Sequence, residues 1–148
     1  MHEIIKNIWI GNYHDALDAN LFNRHNISAV ANITKNIPFL KKSMDRLHLK
    51  VEDDGNKHDY KVMAKRLPEI VAWIDDMLQQ NKVVLVHCAA GIQRSACVVA
   101  AYLMHSNSKF SVANAVNFVR SRRPIAFSPA VNFKSSLVMY RRYLHNGH

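Results

Sequence analysis

The side chains best suited to chemistry lie in one short segment, Val83–Ser95 (VVLVHCAAGIQRS). Cys88 brings a thiol, Arg94 a planar guanidinium and Ser95 a hydroxyl. The apolar run Val83–Val86 reads as a strand buried on both faces. The largely apolar stretch Ser95–His105 reads as a buried helix. A loop joining such elements can curl its backbone N–H groups into a nest for an anion. The helix start adds its unpaired N–H groups and the positive end of its dipole. Gly91 permits backbone angles that other residues resist, and the small side chains of Ala89 and Ala90 leave the amides open. The backbone of Ala89, Ala90, Gly91, Ile92, Gln93 and Arg94 thus predicts a cradle for a dianion, with the Arg94 fork gripping two phosphate oxygens. Cys88 sits at its floor. Helix N-termini and nearby cations favour the thiolate, and a thiolate facing a bound phosphoryl group is a nucleophile placed for in-line attack.

Neighbouring side chains at an extended strand end point to opposite sides. His87 is therefore expected to support the loop from behind by hydrogen bonding and to favour the thiolate, not to act as a base. Ser95 can donate its hydroxyl to the sulfur as the sulfur leaves phosphorus. Cleavage of a phosphate ester also needs a proton for the departing oxygen, and a positioned acid contributes about 10²–10⁴-fold. The candidates are Asp53, Asp54 and Asp59. Asp59 suits the first turn of the following helix, and Asp53 and Asp54 share a turn.

These groups must be positioned by the rest of the chain. Ile8–Ile10, Ala29–Ile33 and Leu47–Val51 suit short strands, and 15–23 suits a short helix. Apolar residues from Tyr60 to Leu78 recur at helical spacing, which predicts an amphipathic helix over 59–80 that Pro68 should kink or split. Ser111 is a candidate N-cap for a helix through Arg120, and Ser128 with Pro129 for a last helix through Leu144. Strands first and helices late imply an α/β fold, a central mostly parallel sheet flanked by helices. The loop after Val86 then lies at the carboxyl end of a buried strand, where ligands bind in such sheets.

The 148 residues fit one domain, 1–148, and 49% hydrophobic residues can fill its core. The N-terminus lacks an apolar signal segment, and the longest apolar run is too short to cross a bilayer, so a soluble intracellular (cytoplasmic or nuclear) protein is expected. The sequence begins almost at its first strand, with little N-terminal extension for dimerisation, so a monomer is expected. Two cysteines without a secretory context do not suggest a disulfide. Cys97 is expected to be buried. With no Cys-x-x-Cys and no His-x-x-x-His, neither metal nor cofactor is implied. The net charge of +9 favours anionic partners. The cluster Arg120, Arg122 and Arg123, and the pair Arg141 and Arg142, read as solvated helix ends. A nucleic-acid partner is left open but not favoured.

The pattern His87-Cys88-x-x-Gly91-x-x-Arg94-Ser95 resembles the signature of the cysteine-based phosphatases, in particular the small dual-specificity branch. Five fixed residue types in nine positions arise by chance on the order of once in 10⁵ chains of this length. The resemblance extends over most of the chain, through Ile8–Gly11, Ala29–Thr34, Val51–Asp54, Ala101–Met104 and Val119–Pro124. It implies the family fold, phosphorylated protein substrates and a cysteinyl-phosphate intermediate. It also implies that the acid is the Asp closing the Val51–Asp53 segment, and Asp53 stands 35 residues before Cys88. Ala96 stands where the family often has Gly. The uncharged Ala89, Ala90, Ile92 and Gln93 count against a highly charged lipid headgroup. Removal of phosphate from RNA 5′ ends is the alternative activity, and a catalytically weak phosphate reader the alternative class.

Overall fold

A computed structural model describes residues 1–146. The chain runs β1 (His2–Ile5), β2 (Ile8–Gly11), α1 (Tyr13–Ala16), α2 (Ala19–His25), β3 (Ala29–Asn32), β4 (Asp45–His48), α3 (Lys57–Gln79), β5 (Val84–His87), α4 (Arg94–Ser106), α5 (Val112–Arg122) and α6 (Lys134–His145). The strands form one sheet in the order β1-β2-β5-β3-β4. Only the β1–β2 pair is antiparallel. This is the expected α/β architecture, a mostly parallel sheet flanked by helices.

The apolar run before Cys88 takes the middle of the sheet, where both faces need covering. Alternation divides its side chains between two cores. Val84, Val86 and Cys88 join the large core shared with α3–α6. Leu85 joins a smaller core with Ala16, Phe22 and Val30 on the other face. Ile8 and Ile10 of β2 and Ala29 and Ala31 of β3 repeat the first pattern. Ten consecutive residues of α4, Ser95–Met104, are buried, so the helix that follows the cradle is held on all sides. Ala96 is fully buried there.

Several elements differ from expectation. Helix α3 is continuous through Pro68. An interior proline costs about 3 kcal/mol, but Met63, Leu67, Ile70 and Ile74 on both sides of it are fully buried, each stabilising by about 1.5–3 kcal/mol. The expected helix over 15–23 is two helices, because the Asp18 side chain accepts from the N–H groups of Asn20 and Leu21 and opens α2 afresh. Strand β4 ends at His48, three residues before the expected Val51. Its partner β3 stops at Asn32, and the buried Leu49 and Val51 turn into the core. Strand β1 was not expected. The last helix begins at Lys134, not near Ser128, because the backbone from Ser128 to Asn132 is taken up by the side chain of Gln93. Ser111 caps α5 as expected, accepting from the Asn114 N–H.

Candidate active site

The cradle hangs between β5 and α4, and its shape is set by contacts from three sides. Gly91 has φ +68°, and a Cβ there would lie 2.6 Å from both the Gly11 carbonyl oxygen and Arg123 Nη2. Only glycine fits this position. The Tyr13 N–H donates to the Ala89 carbonyl at 3.1 Å, and the Phe127 N–H to the Ile92 carbonyl at 2.9 Å. Arg123 Nε donates to the Gly91 carbonyl at 2.7 Å, and its Nη1 to His2 Nδ1 at 2.7 Å. Burial, then the guanidinium, lowers the His2 pKa, which keeps that nitrogen free to accept.

Arg123 was expected in solvent as part of a helix end. It is 3% exposed, because the carbonyl left without a helix or sheet partner at Gly91 needs a buried donor. Arg120 also departs from that expectation, donating to the carbonyls of Ala126 and Phe127, and Arg141 donates to the Phe110 carbonyl. Arg122 is exposed, with its guanidinium 5.3 Å above the Phe118 ring. Arg142 is exposed as expected.

A cavity of about 300 Å³ is lined by Cys88, the cradle residues Ala89, Ala90, Ile92, Gln93 and Arg94, and by Asp53, Ser128 and Asn132. Cys88 is 2% exposed and Ser95 fully buried. Their Sγ and Oγ atoms lie 3.2 Å apart, and the Ser95 N–H approaches the sulfur at 3.5 Å. Arg94 Nη1 donates to the Val51 carbonyl at 2.8 Å, which ties the guanidinium to the segment carrying Asp53. Its remaining N–H donors are a fork for an anion.

Asp53 and Asp54 part company here. Asp53 faces the cavity, and Asn132 Nδ2 donates to both of its oxygens, at 3.2 and 3.1 Å. The Asp54 N–H turns instead to the Asp59 carboxylate at 3.3 Å, and Asp59 sits in the first turn of α3. Asn132 is itself fixed from the cradle, its N–H donating to Gln93 Oε1 at 3.0 Å. Gln93 Nε2 donates to the carbonyls of Ser128 and Ala130. Gln93 therefore clasps the 128–132 loop to the cradle, and Asn132 clasps Asp53. Neither link could be read from the sequence, where Gln93 counted only as an uncharged cradle position. The isolated Asn132 carried no signal.

His87 differs from expectation. Its ring nitrogens are buried and meet no hydrogen-bond partner among the described residues. Burial pushes its pKa down to about 4, the adjacent Cys88 backbone offsetting part of the effect. The imidazole is thus neutral packing behind the strand, on the face opposite Cys88. The unfolded chain binds a proton at His87 below about pH 6.5 and the folded chain does not, so the free energy of unfolding decreases as pH drops from 6.5 towards 4, by about 3 kcal/mol in total. Denaturation midpoints across that range should fall less steeply for His87→Leu than for the parent chain. Equal slopes would mean that His87 is not buried neutral. Cys97 is fully buried, and burial pushes its thiol far above the usual range, which leaves it an inert part of α4.

The sequence profile of the dual specificity phosphatase catalytic domain matches residues 8–143. The chain belongs to that family. It is 33% identical over 143 residues to human dual specificity protein phosphatase 9, covering 96% of this chain and 36% of that one. The chain thus spans about a third of that relative. A putative tyrosine phosphatase 123R of invertebrate iridescent virus 6 is 29% identical over 145 residues, 97% of this chain and 94% of its own. Among solved structures, human DUSP28 superposes with a TM-score of 0.87 at 24% identity, covering both chains completely, a likeness of fold. No helix among the described residues is long and apolar enough to cross a membrane.

Proposed function

We propose that this chain hydrolyses phosphate monoesters on proteins, at phosphotyrosine and at phosphoserine or phosphothreonine, through a cysteinyl-phosphate intermediate. One observation carries the reading. Cys88 Sγ lies at the floor of an anion-sized cavity with Ser95 Oγ 3.2 Å away, and Arg94 and Asp53 stand on its wall. In this mechanism the amides of Ala89–Arg94 and the Arg94 guanidinium bind the phosphoryl oxygens and stabilise the charge that spreads over them in the transition state. The Cys88 thiolate attacks phosphorus, the P–O ester bond breaks, and Asp53 in its acid form gives its proton to the leaving oxygen. Water then attacks the cysteinyl-phosphate and gives a proton to Asp53. The S–P bond breaks, and the Ser95 hydroxyl donates to the departing thiolate. No metal or cofactor enters either step. A cavity of about 300 Å³ lined mainly by loop residues has room for short phosphorylated side chains as well as for phosphotyrosine.

The test is hydrolysis of phosphotyrosine and phosphothreonine peptides beside a triphosphate-ended RNA, with EDTA present. Peptide turnover supports the reading, and turnover of RNA alone would replace it with an RNA 5′-phosphatase.

Asn132 is a positioning residue in this reading, since it acts only through Asp53. Asn132→Ala should lower kcat/KM, which reports the steps up to the cysteinyl-phosphate, about tenfold on peptides, whose leaving oxygens need a proton. It should change little on a nitro-substituted aryl phosphate, whose leaving group does not. In an Asp53→Asn background the same substitution should have almost no further effect. A loss of equal size on both substrate types would assign Asn132 a purely structural role.

A further inference from the structure

The +9 charge is segregated along the chain. All 11 acidic residues fall before residue 77, where an equal number of Lys and Arg balance them, and the nine Lys and Arg beyond have no acidic neighbour in sequence. Helices α5 and α6 both belong to this acid-free half, and a groove runs between them. Its outer cavity, about 400 Å³, is lined by Arg141, Arg142 and His145 together with the start of α5 at Ser111–Ala113. Its inner cavity, about 230 Å³, is lined by Arg120 and Lys134 with Val116 and Val131. Val112 and Ala113 line both cavities, so the two adjoin. The inner end reaches the active site, since Asn132, between Val131 and Lys134 in the chain, lines the cavity over Cys88. Among the described residues, no Asp or Glu lines any part of the groove.

The basic side chains differ in how they are held. Arg120 and Arg141 are pinned to backbone carbonyls. Lys134, Arg142 and His145 are exposed and open to a ligand. The groove between the basic side chains is aliphatic, and among the described residues no Phe, Tyr or Trp lines it as a stacking platform for nucleic-acid bases. The 11 residues of α5 set its length near 16 Å, about five residues of extended polypeptide.

We propose that this groove is a docking subsite for an acidic stretch of the protein substrate that lies close to its phosphorylated residue. The proposal rests on the protein-phosphatase reading of the site. The acidic side chains meet Lys134, Arg142 and His145, the aliphatic parts of the peptide lie on Val112, Val116 and Val131, and the phosphorylated residue enters the cavity over Cys88. The substrate preference is thus set by the α5–α6 face as well as by the cradle.

The deciding experiment measures fluorescence anisotropy of a labelled, unphosphorylated peptide of alternating Glu and Val, which reports docking independently of catalysis. The chains compared are the parent, Lys134→Gln/Arg142→Gln, and a control of equal charge on a distant exposed segment, Lys41→Gln/Lys42→Gln. The groove variant should bind about five- to tenfold more weakly and the control less than about twofold. Equal weakening in both variants would reduce the effect to net charge and overturn the proposal, as would unchanged binding in the groove variant or no binding by the parent. Tighter binding of an oligoribonucleotide of matched charge, lost in the groove variant, would assign the groove to nucleic acid and also overturn it. Hydrolysis of a small aryl phosphate, run on the same three chains, should be equal in all. Its absence from the parent would sink the catalytic reading and leave the docking result to stand alone.

Discussion

Cys88→Ser lowers kcat/KM on a phosphotyrosine peptide by about 10³-fold or more while the peptide still binds. A serine hydroxyl stays protonated at neutral pH and is a poor nucleophile without a base beside it. Here, among the described residues, the side chain within hydrogen-bond reach of the sulfur is Ser95, itself a hydroxyl, and the neutral His87 lies behind the strand. The groups that hold phosphate are untouched. Arg94 is anchored to Val51 and the cradle is anchored through Gly91, Ala89 and Ile92. The two readouts should therefore separate, with turnover lost and the calorimetric Kd for the phosphopeptide changed by less than about tenfold. Turnover that survived within tenfold would remove Cys88 from the mechanism.

Asp53→Asn lowers kcat on phosphotyrosine and phosphothreonine peptides by about 10²–10⁴-fold, the range expected for a general acid. The loss in kcat/KM, which reports only the steps up to the cysteinyl-phosphate, should shrink steadily as the leaving group becomes more acidic and nearly vanish for a nitro-substituted aryl phosphate, while kcat stays low there because Asp53 also activates the water. Because Asp53 lines the cavity and, among the described residues, its carboxylate is held by the exposed amide of Asn132, the variant should keep the stability of the parent within about 0.5 kcal/mol. Asp54→Asn is the internal comparison. Its backbone N–H is bound to Asp59 and its side chain does not line the cavity, so its turnover should match the parent. A loss on Asp54→Asn as large as on Asp53→Asn would move the acid to the neighbouring residue.

The centre of the fold was legible because its signals are local. The apolar run before Cys88 has to be the doubly covered strand, and the apolar stretch after Arg94 has to be the buried helix, so the cradle between them could be placed by residue number. Gly91 could be singled out as the permissive position, though not for the reason the structure gives, the close approach of Gly11 and Arg123. What escaped the sequence depends on residues far apart in the chain. Arg123 looks like a surface cation until the fold brings it 2.7 Å from the Gly91 carbonyl, 32 positions earlier. Asn132 and Asp53 are 79 positions apart. The Ser128-Pro129 pair carries a good local helix-start signal, yet the Gln93 side chain claims the following carbonyls and delays α6 to Lys134. The reverse error occurred at Pro68, where a strong local break signal yields to a row of fully buried side chains. In each case a tertiary contact of ordinary strength outweighed a local propensity of similar size.

The most direct measurement is rapid acid quench of Asp53→Asn during turnover of an aryl phosphate, followed by mass analysis of the peptide carrying Cys88. With the group that activates water removed and the leaving group in no need of a proton, the intermediate should accumulate as one phosphoryl group on Cys88. A phosphoryl group on any other side chain, or full turnover with no covalent adduct at any quench time, would contradict the cysteinyl-phosphate mechanism.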